Sequence, residues 1–420
     1  MLSLLGFVFA LGIIVLVHEL GHFLVAKKFG ILCHEFSIGM GPAIYSKKIG
    51  ETRYSLRLVP IGGYVAMAGE EVEKEMVKVG QSVGVRINSR GLVDKIYLDP
   101  NAKGVHVNGK ITSVDLYKEL FIVIETPSGE PHRYRVIEDA FYVFDKGQEQ
   151  QIAPYNRCLE SKSKFARFAT MAAGATMNFI LAIVLFFGVG FYVGNPTYSS
   201  VISQVEPNSP ADVSGIEAGD KVVEFNGYNI SNWNELIEAI QTANGETTVK
   251  VERNGEVVSL TLTPTVENGR TLIGIGVDTQ NPVKVERSLG VAVEYAFENT
   301  KQAFTSIFDT FRMLFVTKEA GVGDLAGPVG IYSMTSQIVT YGFASLLKWV
   351  AFLSVNIGLL NLLPIPALDG GRIVFVLIEA IIGRPVNRRV EGYIHTAGLL
   401  LFLGLFIYIT FNDVLRLFNM

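Results

Sequence analysis

His18, Glu19 and His22 fall within five positions of one apolar stretch near the start of the chain. On a helix, residues four apart project from nearly the same face one turn apart. That is the geometry two imidazoles need to grip one metal ion. Glu19 is offset by one residue and can reach a water on that metal without being a ligand. Zinc suits such ligands and lowers the pKa of its water to about 7. A carboxylate can take that proton and later return it to a leaving amine. The chemistry on offer is peptide hydrolysis, with His18 and His22 holding Zn2+ and Glu19 as the acid/base. An exposed helix with two solvated histidines would carry the same pattern, but the surroundings argue against it. The motif lies inside an apolar span, roughly 7–13 Å before Lys27 at about 1.5 Å rise per residue. Each ionisable group at such depth costs about 2.5 kcal/mol or more unless it is paired or bound.

A zinc site of this kind needs a third protein ligand. A histidine six positions beyond His22 is absent, because Lys28 stands there. His34, His106, His132 and His395 have no motif around them and read as surface or packing residues. The better candidate is Asp369, in the run Asn361-Leu-Leu-Pro-Ile-Pro-Ala-Leu-Asp-Gly-Gly371. Pro364 and Pro366 break a helix at membrane depth, which is tolerated only beside protein or a water-filled cavity. The broken segment delivers a carboxylate and flexible glycines. The plainer reading of Asp369 is a cap at a helix end. Asn361, Asn356 and Asn178 are also polar within apolar spans. Asn361 could hydrogen-bond an extended substrate backbone. Asn356 and Asn178 divide evenly between function and hydrogen bonds between helices. The stretch Tyr54–Ala66 reads as two short strands around a turn containing Gly62 and Gly63, and could add an edge strand for substrate.

The elements that must position these groups are membrane helices. Of 420 residues, 49% are hydrophobic and only 18% charged, and mean hydropathy is +0.34. A soluble surface normally needs more charge. Four stretches can span a bilayer: 1–26, 168–193, 343–371 with its broken end, and 391–413. Lys27 and Lys28, then Lys162, Lys164 and Arg167, then Arg372, Arg384, Arg388 and Arg389 all fall in loops on one side, which marks that side as cytoplasmic. Both termini then lie outside. The cytoplasmic loop 27–167 holds a membrane-associated β hairpin at about 52–67 and a small β-rich subdomain. The external loop 195–282 resembles a PDZ domain in its order of strands and its Gly-Ile-Glu-Ala-Gly-Asp turn. An amphipathic helical linker, 283–340, follows, with aromatics at helical spacing that pack on that domain or on the membrane surface. The expected fold is a polytopic α-helical membrane protein of four transmembrane helices, with an extracytoplasmic PDZ domain and cytoplasmic or membrane-associated β segments. A net charge of −4 without any basic run excludes nucleic acid as a partner. Cys33 and Cys158 make no disulfide framework and are expected to be free thiols.

Together, His18-Glu-Leu-Gly-His22 in a first helix, Asn361 with Pro364-x-Pro366-x-x-Asp369-Gly370, and an external PDZ insertion resemble the bacterial site-2 proteases of the regulator-of-sigma-factor type. Phe36-Ser-Ile-Gly-Met-Gly-Pro42 and Val59-Pro-Ile-Gly-Gly-Tyr64 are similar to that family too. The single PDZ-like unit and the sizeable cytoplasmic β region resemble its Gram-positive members. The resemblance implies His18, His22 and Asp369 as zinc ligands, Glu19 as acid/base and Asn361 as a substrate contact. It implies single-span membrane substrates in the lipid bilayer, such as trimmed anti-sigma factors or signal-peptide remnants. One departure is Ala175, where many relatives carry proline; it bears on the helix start and on Asn178. Rival readings are a catalytically silent PDZ-bearing scaffold and a zinc-binding transporter. The scaffold predicts decay of the motif, and a transporter predicts an inverted repeat or a second ligand pair; neither is visible.

Overall fold

The computed structural model describes residues 2–69, 76–126, 129–144, 147–267, 270–278, 282–318, 321, 323 and 325–418. Met1, the expected start of the first span, lies outside them. Two compact units emerge, one formed by 1–185 with 299–420 and the other by 186–298.

Among the described residues of the whole chain, four helices are long and apolar enough to cross a membrane: Leu2–Lys28, Lys164–Val193, Phe343–Leu362 and Arg389–Arg416. The first unit opens with α1 (Leu2–Lys28), whose end is set by Gly30 at φ +69°, a left-handed position that suits glycine. Two long strands follow, β1 (Cys33–Ile49) and β2 (Thr52–Met67). They differ from the hairpin expected within 52–67. Phe36 of β1 pairs with both Tyr54 and Val65 of β2, so the two ends of β2 flank β1 instead of closing on each other. Arg57 holds this sheet together, donating to Glu35 at 2.7 Å, Ser37 at 2.9 Å and the Tyr64 hydroxyl. Burial works against an ionised Glu35, but hydrogen bonds from Ser55, Arg57 and Tyr64 outweigh it and hold the carboxyl below its usual range. Glu51, at the β1–β2 turn, pairs with Lys27 and with Arg157, tying the turn to the end of α1.

The β-rich stretch forms β3 (Ser82–Ile87), β4 (Val93–Tyr97), β5 (Val107–Asp115), β6 (Phe121–Glu125), β7 (Pro131–Val143) and β8 (Glu149–Gln151). Their order is β4-β3-β5-β6-β7-β8, and β4 also pairs with β7, which closes five strands into a small barrel. Val83, Val85, Ile96, Ile111, Ile122 and Ile124 fill it. Cys33 and Cys158 are buried and are not joined by a disulfide, and burial pushes the Cys33 thiol up to about 12.

Helix α2 (Lys164–Val193) starts four residues before the expected span and runs unbroken through Ala175. A proline there would remove a backbone donor and clash with the preceding turn. The second unit takes up the chain with β9 (Asn195–Thr197), β10 (Gln204–Val205), α3 (Pro210–Val213), β11 (Lys221–Phe225), β12 (Tyr228–Asn229), α4 (Trp233–Gln241), β13 (Thr247–Arg253) and β14 (Glu256–Leu262). A sheet of order β12-β11-β13-β14 packs on Leu236 and Ile240 of α4. Asn232 caps α4, accepting from the Glu235 amide at 3.0 Å while the Glu235 carboxylate accepts from Ser231, a reciprocal cap that fixes the helix start. Arg253 grips Asp220 through two 2.7 Å hydrogen bonds.

The chain returns to the first unit within α5 (Leu289–Arg312), then continues as α6 (Pro328–Thr340), α7 (Phe343–Leu362), α8 (Asp369–Ile382) and α9 (Arg388–Phe418). Phe304 of α5 packs on Phe179 of α2 with ring centroids 5.4 Å apart. That part of the aromatic stripe therefore seats on a helix of its own unit. Helix α6 docks on α1 and α7: Ser336 donates to Ser3, and Trp349 to Thr335 at 2.9 Å. Arg167 of α2 pairs with Glu379 of α8 at 2.6 Å.

Candidate metal centre

Helix α1 is apolar around its whole circumference, so packing and not amphipathic patterning decides which face turns inward. The buried face carries Ala10, Ile14, His18, Gly21 and His22. Gly21 lets α2 approach closely: a Cβ there would lie 2.8 Å from the Ala173 carbonyl carbon and the Met177 side chain. Small residues at helix contacts in membranes work in this way.

The third group arrives from the far end of the sequence. Helix α7 stops at Leu362, Pro364 and Pro366 deny it the next turn, and α8 begins at Asp369. Between them Ala367 takes φ +81°, a strained position for a residue with a Cβ. Its N–H donates to His395 Nδ1 at 3.1 Å, so His395 helps hold this bend. The glycines expected to be flexible do something else. A Cβ on Gly370 would reach 2.5 Å from the Leu362 carbonyl group, and one on Gly371 2.5 Å from the Ile365 oxygen. They are glycines because α8 must start hard against the end of α7. Asp369 is also the first residue of α8, where a carboxylate suits the helix dipole, so the cap reading and the ligand reading are compatible.

Three atoms converge. His18 Nε2 lies 3.1 Å from Asp369 Oδ2, His22 Nε2 lies 3.2 Å from the same oxygen, and the two Nε2 atoms are 3.2 Å apart. Tetrahedral zinc with ligand bonds of about 2.0–2.1 Å separates its ligands by about 3.3 Å, so the triangle matches one face of a zinc tetrahedron. The donor set, two imidazoles and a carboxylate, is also the set such a site uses. The residues present fit the ion.

Glu19 is outside the triangle. It faces the returning half of β2, where a Cβ on Gly63 would lie 3.4 Å from Glu19 Cγ and 2.7 Å from the Ser37 oxygen. Gly62, at φ +87°, stands beside Met40. Asn361 sits half-buried in the last turn of α7. Asn356 donates its amide to Phe352 O of its own helix at 2.8 Å.

Sequence reasoning singled out Asn178 but missed Thr170 and Gly174, the rest of the floor of the site. Thr170, Gly174 and Asn178 follow each other at one-turn spacing along α2, beneath the two imidazoles. His22 Nδ1 lies 2.7 Å from Thr170 O, and Asn178 Nδ2 lies 3.2 Å from His18 Nδ1. A Cβ on Gly174 would intrude on His22 Nε2 and lie 2.6 Å from His18 Nε2. The signal available was a polar residue one turn from a glycine within an apolar span, too common a pattern to single out alone. Gly174→Ala is expected to push both imidazoles off their positions and weaken zinc binding by about 10–100-fold, the range seen when a metal site loses its supporting geometry. Competition with a chromophoric chelator measures this; unchanged affinity would mean the site tolerates the methyl.

The family described as Peptidase family M50 matches residues 6–405. Zinc metalloprotease RasP of Geobacillus kaustophilus is 38% identical over 99% of this chain and 98% of that protein. The enzyme of the same name from Bacillus licheniformis is 39% identical over 99% of each. The regulator of sigma-W protease RasP of Bacillus subtilis is 37% identical, again over 99% of each. Among solved structures, the PDZ domain of an SdrC-like protein from Listeria monocytogenes matches 20% of this chain and 88% of that one, at 21% identity and a TM-score of 0.17, a likeness that carries no conclusion.

Proposed function

The chain belongs to peptidase family M50 and is a membrane zinc metalloprotease of the site-2 type, and from that premise we propose that His18, His22 and Asp369 hold its zinc while Glu19 handles the protons of peptide hydrolysis. The observation that carries this assignment is the 3.1–3.2 Å triangle of ligand atoms drawn from α1 and the start of α8. Bound there, zinc supplies Lewis acidity to water and to the scissile carbonyl. Glu19 takes a proton from the attacking water and delivers it to the departing amine. The returning half of β2, with Gly62 and Gly63, offers backbone against which an extended substrate lies beside Glu19. Asn361 hydrogen-bonds that substrate where its helix has opened. Asn356 contributes through the acceptor that its own helix leaves unused.

Four spans, with Lys27, Lys28, Lys162, Lys164 and Arg167 at the cytoplasmic side, put the catalytic motif near that side and the PDZ-like unit and both termini outside. Residues 195–282 then screen or capture substrates before they enter the bilayer. Those substrates are single-span membrane proteins of the anti-sigma-factor kind, already trimmed outside, or signal-peptide remnants. A silent scaffold or a zinc transporter is not favoured, because the complete acid/base and ligand set stands in one place. The protein purified in detergent is expected to hold about one zinc per chain and to cleave a transmembrane peptide. Stripping the metal with a chelator abolishes cleavage, and stoichiometric zinc restores it. Cleavage that persists in metal-free protein would overturn the assignment.

A further inference from the structure

Two rings face the ligand triangle, and each must present a bare Nε2 lone pair to bind metal. In neutral imidazole this requires the proton to sit on Nδ1. For His22 the matter is decided by its partner. Nδ1 lies 2.7 Å from the Thr170 carbonyl oxygen, which can only accept, so Nδ1 carries the hydrogen. His18 has a different neighbour. Its Nδ1 lies 3.2 Å from the Asn178 side-chain amide, and an amide can face a ring with either its oxygen or its NH2. With the NH2 facing it, Nδ1 must accept, and the ring proton moves to Nε2, into the triangle. That arrangement also leaves Asn178 Oδ1 buried without a hydrogen-bond partner, in a side chain with no exposure at all. With the oxygen facing it, Nδ1–H donates to Oδ1 and the Nε2 lone pair is free.

We infer that in the zinc-loaded protein Asn178 presents Oδ1 to His18 Nδ1–H, and that this hydrogen bond positions His18 as a ligand. Asn178 is thus a positioning residue, matched on His22 by the Thr170 carbonyl. The two supports stand two turns apart on α2, with Gly174 between them leaving room for both rings. One helix therefore sets the tautomer of both imidazoles. The inference rests on the reading of His18, His22 and Asp369 as the zinc ligands, and it goes beyond that reading by assigning what orients one of them.

Substitution separates the two amide orientations. A carboxylate can only accept, so Asn178→Asp keeps the proposed bond, whereas it would destroy a bond in which Asn178 donates. Asn178→Leu keeps the branching at Cγ and removes the acceptor. With full-length protein in detergent, zinc affinity by chelator competition is expected to be at least as tight in Asn178→Asp as in the unaltered protein. In Asn178→Leu it is expected to fall about 10–100-fold. Cobalt-substituted Asn178→Asp should keep the visible absorption spectrum of the unaltered protein, a readout of ligand geometry that is independent of proteolysis. A tenfold or greater loss in folded Asn178→Asp, or undiminished affinity in Asn178→Leu, would overturn the inference. Nitrogen NMR of the zinc-loaded, unaltered protein checks a requirement of it without any variant: a bare His18 Nδ1 rules the inference out. His22→Ala serves as the control. If that variant keeps its zinc, the ligand assignment itself is wrong; if it loses zinc while both Asn178 variants keep it, only the role of Asn178 falls.

Discussion

Glu19→Gln is expected to retain about one zinc per chain while losing proteolysis by about 10²–10⁴-fold, the contribution typical of a positioned acid/base. The substitution preserves shape and leaves His18, His22 and Asp369 untouched. What disappears is a group that can take a proton and give it back. Metal content by mass spectrometry and initial rates on a transmembrane peptide separate these effects. Zinc lost in step with activity would make Glu19 a ligand; activity retained would place the proton carrier elsewhere.

Asp369→Ala is expected to cost zinc affinity at least the ~100-fold that loss of an outer partner can cost, and proteolysis with it. Removing Oδ2 takes away one vertex of the triangle and leaves two imidazoles that cannot by themselves complete a zinc site of three protein ligands. The bend should survive. Pro364, Pro366, Gly370 and Gly371 shape it through backbone contacts that do not involve the carboxylate. Asp369→Asn sharpens the experiment, because it keeps the side-chain size at the start of α8 but weakens the charge and donor strength of the ligand; it should fall between the parent and the alanine variant. Full zinc occupancy in Asp369→Ala would remove this residue from the metal centre.

The first helix and its three polar residues were legible because the bilayer makes a simple demand: ionisable groups inside an apolar span need a reason. The break at Pro364 and Pro366 was legible because proline acts locally on the backbone. Other features were not. Strand β1 lies between the two ends of β2, and β4 pairs with β7 to close the barrel. Both are long-range pairings that strand patterning does not specify. Gly370 and Gly371 announced a special conformation, but the sequence suggested flexibility where the fold needed close backbone contact.

By itself, then, the sequence determined the chemical inventory of this protein. Helical periodicity put His18 and His22 on one face, and composition put that face in a membrane. Membership of the zinc proteases followed from those residues and the Asp369 run. Only the tertiary structure decided that Nε2 of His18, Nε2 of His22 and Oδ2 of Asp369, from residues up to 351 positions apart, close to within 3.2 Å. It also decided that α2 supplies the floor beneath them, through Thr170, Gly174 and Asn178. The reason is one of range. Spacing along a helix is fixed by the backbone of that helix, whereas the distance between helices depends on which small residues meet, and no single segment carries that information.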